Sequence, residues 1–332
     1  MKTGFIGCGG FAGGTHIPNV MKNPNIEVKW FCDLNQALLA DLRQKYPDVK
    51  VTSDMLEVFE DQEIESVICS TKPDARMPIM EAAVKYGKHL FVEKPLCYDD
   101  GDIAKMTTLI NDSDIKFMVG FNRPYSPMMR DAKKLYKQHK KGNTNIIYRI
   151  IGEGVRLWPF HHYDSVINRG ESTIVHEATH IFDLLNWLTD SVPTRVYTIG
   201  GGNVDNIISL EYPNDVTAVI ISGDNSNAGI GKEYLEVNTN CGTIKGYDFI
   251  ELESFGFDEN IYFNRIYDYT IAGKAHNTSI KEAEEKMRQW RKPLPRFSSP
   301  KDPPPKKGAP PIKDKYDAQI AALTQQIQNL NP

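Results

Sequence analysis

The chain has 332 residues, 40% of them hydrophobic and 25% charged, with a net charge of −4. This is the composition of a water-soluble protein with room for more than one core. It carries no basic excess suited to nucleic acid, and no apolar run nears the roughly 20 residues of a membrane span.

Strand-like sequence begins at residue 3, so no signal peptide is expected and a cytoplasmic location is. The first apolar run, Phe5-Ile6, leads into Gly7-Cys8-Gly9-Gly10-Phe11-Ala12 and then into helical spacing. That order of strand, glycine turn and helix is what a dinucleotide pyrophosphate needs. Gly7 permits the tight turn, Gly9 lets the backbone approach the phosphates, and small Ala12 packs the helix close to the strand. Gly10 and Phe11 complete the expected cofactor contacts. The next run, Val28–Cys32, ends at Asp33, about where a carboxylate meets the adenosine ribose hydroxyls. A carboxylate there repels the 2′-phosphate of NADP, so NAD is expected, with NADP as the alternative.

Strands are predicted over Thr3–Cys8, Glu27–Cys32, Ser66–Ser70, His89–Val92 and Lys116–Gly120. Helices are predicted around Ala37–Lys45, Met77–Lys85 and Asp102–Ile110. Regular βα alternation predicts a doubly wound parallel sheet, whose ligands bind beyond the carboxyl ends of the strands. Thr71-Lys72-Pro73, Glu93-Lys94-Pro95 and Asn122-Arg123-Pro124 all fall at such ends. Thr71, Pro73, Glu93, Lys94 and Asn122 are therefore candidate cofactor residues.

After a helix near Ser126–Lys140 the pattern changes. Strands are predicted at Ile146–Ile151, Arg195–Ile199, Ile207–Tyr212, Thr217–Ile221, Glu233–Asn238 and Gly242–Tyr247, with one long helix at Thr179–Leu188. Sequential strands with little helix between them indicate an α+β domain with a large, open, mostly antiparallel sheet. Two amphipathic helices are expected near Phe263–Ala272 and Ile280–Trp290. From residue 292 a proline-rich run reads as an extended arm, followed by a short helix with Tyr316, Ile320, Leu323, Ile327 and Leu330 on one stripe. Three regions result: 1–122 as the NAD(P)-binding domain, 123–291 as the α+β domain, and 292–332 as a tail. The five cysteines form no CxxC pair, and Cys8, Cys32 and Cys69 at strand ends read as small buried thiols.

These residues resemble the Gfo/Idh/MocA oxidoreductases. The resemblance rests on Gly7–Ala12, Ser70-Thr71-Lys72-Pro73, Gly87–Leu96 with its Glu93-Lys94-Pro95, Val119–Arg123, and His176-Glu177-Ala178-Thr179-His180-Ile181-Phe182-Asp183. It reaches to about residue 290. It implies a Rossmann domain plus an α/β domain with an open sheet, NAD or NADP, and hydride transfer at a sugar or cyclitol carbon. It also implies dimers or tetramers paired through the open sheet face. Lys94 would contact the substrate hydroxyl and the nicotinamide, and Glu93 would orient Lys94. Chemistry agrees, because moving a hydride from a secondary alcohol needs a proton acceptor and a cation steadying the alkoxide.

The family's second catalytic element usually places an aspartate four residues before the histidine. Here His180 matches that histidine, but His176 stands at the carboxylate position. Glu177 or Asp183 is the candidate substitute. His180 is taken as the proton-transfer residue and His176 as a substrate contact. The same five residues spell HExxH, a zinc-peptidase pattern. That pattern needs a third ligand and another fold, and no metal is expected.

The stretch Arg156–Asp164 mixes aromatic and polar donors, including His161 and His162, as sugar faces and hydroxyls require. Arg123, Arg156, Trp158 and Tyr163 are substrate candidates, for a carbohydrate or cyclitol. Two other readings remain open: a glycosidase or lyase that oxidises a sugar transiently with NAD, and a nucleotide-binding regulator without catalysis.

Overall fold

The computed structural model describes residues 1–151, 174–200, 205–223 and 230–256. These hold two sheets within one compact unit, Met1–Asn277. The first sheet has six strands in the order β3-β2-β1-β4-β5-β6. They are β1 (Lys2–Ile6), β2 (Glu27–Cys32), β3 (Lys50–Thr52), β4 (Ser66–Cys69), β5 (His89–Val92) and β6 (Phe117–Val119). Every pairing is parallel. The order reverses beside β1, which places the ligand crevice at the carboxyl ends of β1 and β4.

Successive strand residues enter different cores, as the period of two requires. Ile6, Val67 and Leu90 pack with Val58, Phe59, Ile79 and Met80 from α3 (Met55–Glu60) and α4 (Arg76–Lys85). Phe5, Val28 and Phe31 pack on the other side with Ala12, with Ile17 of α1 (Ile17–Val20) and with Leu42 of α2 (Gln36–Lys45). Short polar side chains start the helices by accepting otherwise unpaired N–H groups. Asn35 caps α2, Asp54 caps α3, and Asp99 caps α5 (Asp100–Asn111).

The second sheet has seven strands in the order β13-β12-β11-β7-β10-β9-β8. They are β7 (Thr144–Ile151), β8 (Arg195–Gly200), β9 (Asn206–Tyr212), β10 (Val216–Gly223), β11 (Glu233–Thr239), β12 (Gly242–Tyr247) and β13 (Glu251–Phe255). All pairings are antiparallel except β7 with β10. Among the described residues two helices cover one face: α6 (Pro127–His139) and α7 (Thr179–Thr189). Ile181, Leu184, Leu185 and Leu188 repeat at helical spacing on α7 and are fully buried. They meet Tyr148, Ile208, Leu210 and Ile220 of the sheet. Each such side chain contributes roughly 1.5–3 kcal/mol of burial. On the opposite face Tyr197, Ile199 and Ile207 are exposed among the described residues.

The α/β class with a parallel sheet and a second, mostly antiparallel sheet is as the sequence predicts. The short β3, α3 and β13 were not predicted. Among the described residues, no helix is long and apolar enough to cross a membrane. The helices expected near 263–272 and 280–290, and the tail from 292, lie outside the described residues.

Candidate functional site

The glycine turn leaves β1 at Gly7, whose φ is +84°; a Cβ there would meet the backbone of Ser70 and Thr71 at 2.9 Å. Only glycine tolerates both the left-handed angle and that approach. Gly9 and Gly10 differ, because a Cβ at either would meet nothing within 4 Å. Their open side is where a pyrophosphate could come against the backbone. Ala12 is buried where the following helix meets the sheet. Asp33 is braced by two N–H groups: Cys8 donates to its Oδ2 (2.7 Å) and Asn35 to its Oδ1 (2.9 Å). A carboxylate so held cannot swing aside for a second anion. Burial pushes the Cys8 and Cys32 thiols up to about 12, so both are inert, and all five cysteines are unpaired.

This contrast gives a prediction. Gly9→Ala is expected to keep the melting temperature and to weaken NADH binding by about tenfold or more, since the added methyl has only ligand to meet. Gly7→Ala is expected to yield little folded protein. Fluorescence titration and a thermal melt separate the two. Unchanged NADH affinity in Gly9→Ala would place the pyrophosphate elsewhere.

The Glu93-Lys94-Pro95 turn follows β5 and is held from within. Arg76, buried at the start of α4, donates to the carbonyls of Glu93, Pro95, Leu96 and Thr71, the last at 2.7 Å. Its guanidinium thus ties the strand end after β4, with Thr71 and buried Pro73, to the turn after β5. Glu93 Oε2 accepts the Lys94 N–H at 3.0 Å, and Glu93 Oε1 lies 2.7 Å from His16 Nε2.

Lys94 crosses to the second half of the chain. Its Nζ donates to the His176 carbonyl at 2.8 Å and lies 3.7 Å from Glu177 Oε1. Lys232 approaches Glu177 Oε2 at 3.2 Å, and Arg123 approaches it at 3.8 Å. Arg123 is otherwise taken up by Glu233, through bonds of 2.9 and 2.6 Å, and Tyr148 donates to the same carboxylate at 2.5 Å. Arg123 also donates to the Asn122 side-chain oxygen at 3.4 Å. Arg123, a substrate candidate from the sequence, is thus held in a buried pair with Glu233. Lys94, Arg123 and Lys232 face Glu177 and Glu233, which leaves a surplus of one positive charge.

Burial lowers the Lys94 pKa, and Arg123 and Lys232 add to that while Glu177 and Glu93 oppose it. Burial acts to raise the Glu177 carboxyl, but Lys232, Lys94 and Arg123 together hold it down to about 2. His180 is 5% exposed, with its ring edge-on to Phe121 at 5.5 Å. Burial, then Arg123 and Lys94, push its imidazole from 6.5 to about 2 against the pull of Glu177. The expectation that Glu177 or Asp183 orients this ring is not met. Nδ1 is buried with no hydrogen-bond partner, and Glu177 faces the cations instead. His176 packs its ring against Tyr98 at 5.7 Å.

Between its ordinary 6.5 and about 2, His180 takes a proton in the unfolded chain but not in the folded one, so stability falls as pH drops below 6.5. Its share is about 2 kcal/mol at about pH 5. Glu177 adds to the same slope only below 4.5. Urea midpoints at pH 7 and 5 are expected to fall less for His180→Gln than for the parent, and an equal fall would refute the assignment.

Arg156, Trp158 and Tyr163, with His161, His162 and Asp164, lie outside the described residues. Among the described residues no group of three His, Cys, Asp or Glu side chains is placed to hold a metal. The residues that sequence reasoning missed are His16, Arg76, Tyr148, Lys232 and Glu233. Tyr148, Lys232 and Glu233 reach the site through contacts distant along the chain, whereas His16 and Arg76 follow the glycine turn and Thr71-Lys72-Pro73 closely but meet Glu93 only through the fold.

Comparison with known proteins agrees with this geometry. Residues 1–121 match the Gfo/Idh/MocA oxidoreductase family, with its NAD-binding Rossmann fold. The myo-inositol 2-dehydrogenase of Thermotoga maritima is 21% identical over 271 residues, covering 82% of this chain and 77% of the relative. The inositol 2-dehydrogenase/D-chiro-inositol 3-dehydrogenase of Lactiplantibacillus plantarum is 29% identical over 209 residues, covering 59% and 55%. The crystal structure of scyllo-inositol dehydrogenase from Lactobacillus casei with NAD(H) and scyllo-inositol shares the fold. Its TM-score is 0.64 at 20% identity, over 76% of this chain and 77% of that one. The chain is thus an NAD-binding oxidoreductase, similar to the Gfo/Idh/MocA family over residues 1–121 and to inositol dehydrogenases over a longer stretch. The open sides of Gly9 and Gly10 and the braced Asp33 fit the dinucleotide.

Proposed function

We propose that the protein oxidises a secondary alcohol of a cyclitol or sugar, or reduces the matching ketone. The observation that carries this reading is the meeting of Lys94, from the Rossmann sheet, with the His176 carbonyl and Glu177, in the turn that leads into α7 and His180. When bound, NAD supplies the hydride acceptor, and Gly7, Gly9, Gly10, Phe11, Ala12, Asp33, Thr71, Pro73 and Asn122 are the residues proposed to hold it. The Lys94 ammonium holds the hydroxyl oxygen and steadies the charge that grows there, in a site where burial strengthens the interaction. His180, kept neutral by burial and by the cations around it, is proposed to accept the hydroxyl proton. The fields that disfavour its imidazolium also lower the pKa of a hydroxyl set beside Lys94. Burial, the largest cause of the His180 shift, opposes both the imidazolium and the alkoxide, so only the effect of the cations runs in the same direction for donor and acceptor. His176 is proposed as a substrate contact, and Asp33 supports NAD over NADP. The exposed Tyr197, Ile199 and Ile207 support pairing of subunits through the open face of the second sheet.

A panel of inositols, free sugars, glycosides and 2-hydroxy acids with NAD or NADP tests the reading. Nicotinamide reduction is expected with a cyclitol or sugar and NAD. Activity confined to hydroxy acids would refute it. Glycan cleavage without net NADH would instead favour transient oxidation, a course compatible with His176 standing where a carboxylate is usual.

A further inference from the structure

We propose that His16 is a positioning residue that couples occupancy of the glycine turn to the placement of Lys94. The proposal goes beyond the reading above and rests on it only in taking Lys94 as the cation that faces substrate.

The route is short and fully bonded. His16 closes the π-type turn Ala12–His16, which continues directly from the glycine turn into α1. Its Nε2 lies 2.7 Å from Glu93 Oε1, and the other oxygen of that carboxylate accepts the Lys94 N–H at 3.0 Å. One carboxylate therefore joins the first helix to the backbone of the catalytic turn. Glu93 is 8% exposed, and a carboxylate so buried is tolerable only while its oxygens keep their donors. A change in the place of His16 must then be followed by Glu93, and through it by Lys94.

The surroundings leave this link little slack. The His16 ring is edge-on to Phe11 at 5.2 Å and to Phe91 at 5.4 Å, which fixes the direction of Nε2. Phe11 lies within the glycine-rich segment and is 57% exposed, so a ligand on the turn can reach the ring that flanks His16. On the far side of Glu93, a Cβ on Gly120 would come within 2.9 Å of Oε1 and 3.1 Å of the Phe91 ring. Glycine at 120 is thus what makes room for the carboxylate. Beyond Lys94 N, the side chain runs on to the His176 carbonyl at 2.8 Å. Helix, carboxylate, lysine and the start of α7 form one connected series.

The test uses ADP-ribose, which fills a dinucleotide turn but has no nicotinamide to shield Lys94 directly. Acetylation of Lys94 by an amine-selective reagent is followed by mass spectrometry, with and without saturating ADP-ribose, in the full chain. In the parent protein ADP-ribose is expected to change the Lys94 rate on the order of fivefold. His16→Ala is expected to bind ADP-ribose within about threefold of the parent while losing that change. His16→Gln, whose amide can still donate to Glu93, is expected to retain it. Glu93→Gln, which keeps shape but weakens the shared acceptor, is expected to lose it and to add nothing to the loss in His16→Ala. A change that persists in His16→Ala, or no change in the parent at full ADP-ribose occupancy, overturns the coupling and leaves the dehydrogenase reading intact. If the parent binds neither ADP-ribose nor NADH, the cofactor assignment fails, and the coupling fails with it.

Discussion

Lys94→Met is expected to lower kcat/KM by about three orders of magnitude, with NADH affinity changed by no more than about threefold. Methionine keeps most of the aliphatic stem and removes only the ammonium, so the change isolates the charge. That ammonium is the part of Lys94 that bridges the two halves of the chain, bonded to the His176 carbonyl and close to Glu177. Removing a preorganised donor at a developing oxyanion costs up to about 4 kcal/mol, and that upper value corresponds to the stated loss. A solvated surface lysine would give almost nothing, since an exposed ion pair contributes about 0–1 kcal/mol. Steady-state rates with the best alcohol from the panel, beside an NADH titration, decide the matter. A loss of less than about tenfold would place the alkoxide away from Lys94 and end the proposed mechanism.

Much of this arrangement could be read from sequence because it is local. The glycine turn, Asp33 and the Glu93-Lys94-Pro95 turn each lie within a few residues, and strand-end geometry places them together without knowledge of distant contacts. Short elements were harder to see. β3 has three residues and α3 six, too few for a periodic pattern to rise above chance. The electrostatics were hardest. Arg123 sits at a strand end as expected, but its state is set by Glu233, 110 residues later, which only the pairing of β11 with β7 brings near. Lys232 comes with the same strand. Without it Glu177 reads as a partner for His180, whereas in the structure the three cations hold Glu177 and the imidazole stands neutral in a buried setting. Charge environments are sums over distant residues, and no local pattern encodes them.

Arg76→Met is expected to lower the melting temperature by about 10 °C and to reduce kcat more than NADH affinity. The residue is 2% exposed, and its guanidinium donates to carbonyls of Thr71, Glu93, Pro95 and Leu96. Replacing a buried charge by an apolar chain of similar length is sometimes harmless, because the desolvation of the charge is relieved. Here the acceptors decide otherwise. They belong to two irregular strand ends, so the carbonyls have no ladder or helix in which to find new donors. Each buried acceptor left without a partner costs about 1–3 kcal/mol, and several are stranded together, so a net loss of about 3–5 kcal/mol is expected. The functional share follows from the same bonds, since three of the four carbonyls belong to the turn that aims Lys94. Arg76→Lys restores the charge but not the fork, and one ammonium cannot span both strand ends. It should therefore recover part of the stability and little of kcat. A thermal melt and kinetics on both variants test the argument. A shift under about 2 °C for Arg76→Met would mean that the turn holds its shape through the sheet alone, with the guanidinium merely filling space.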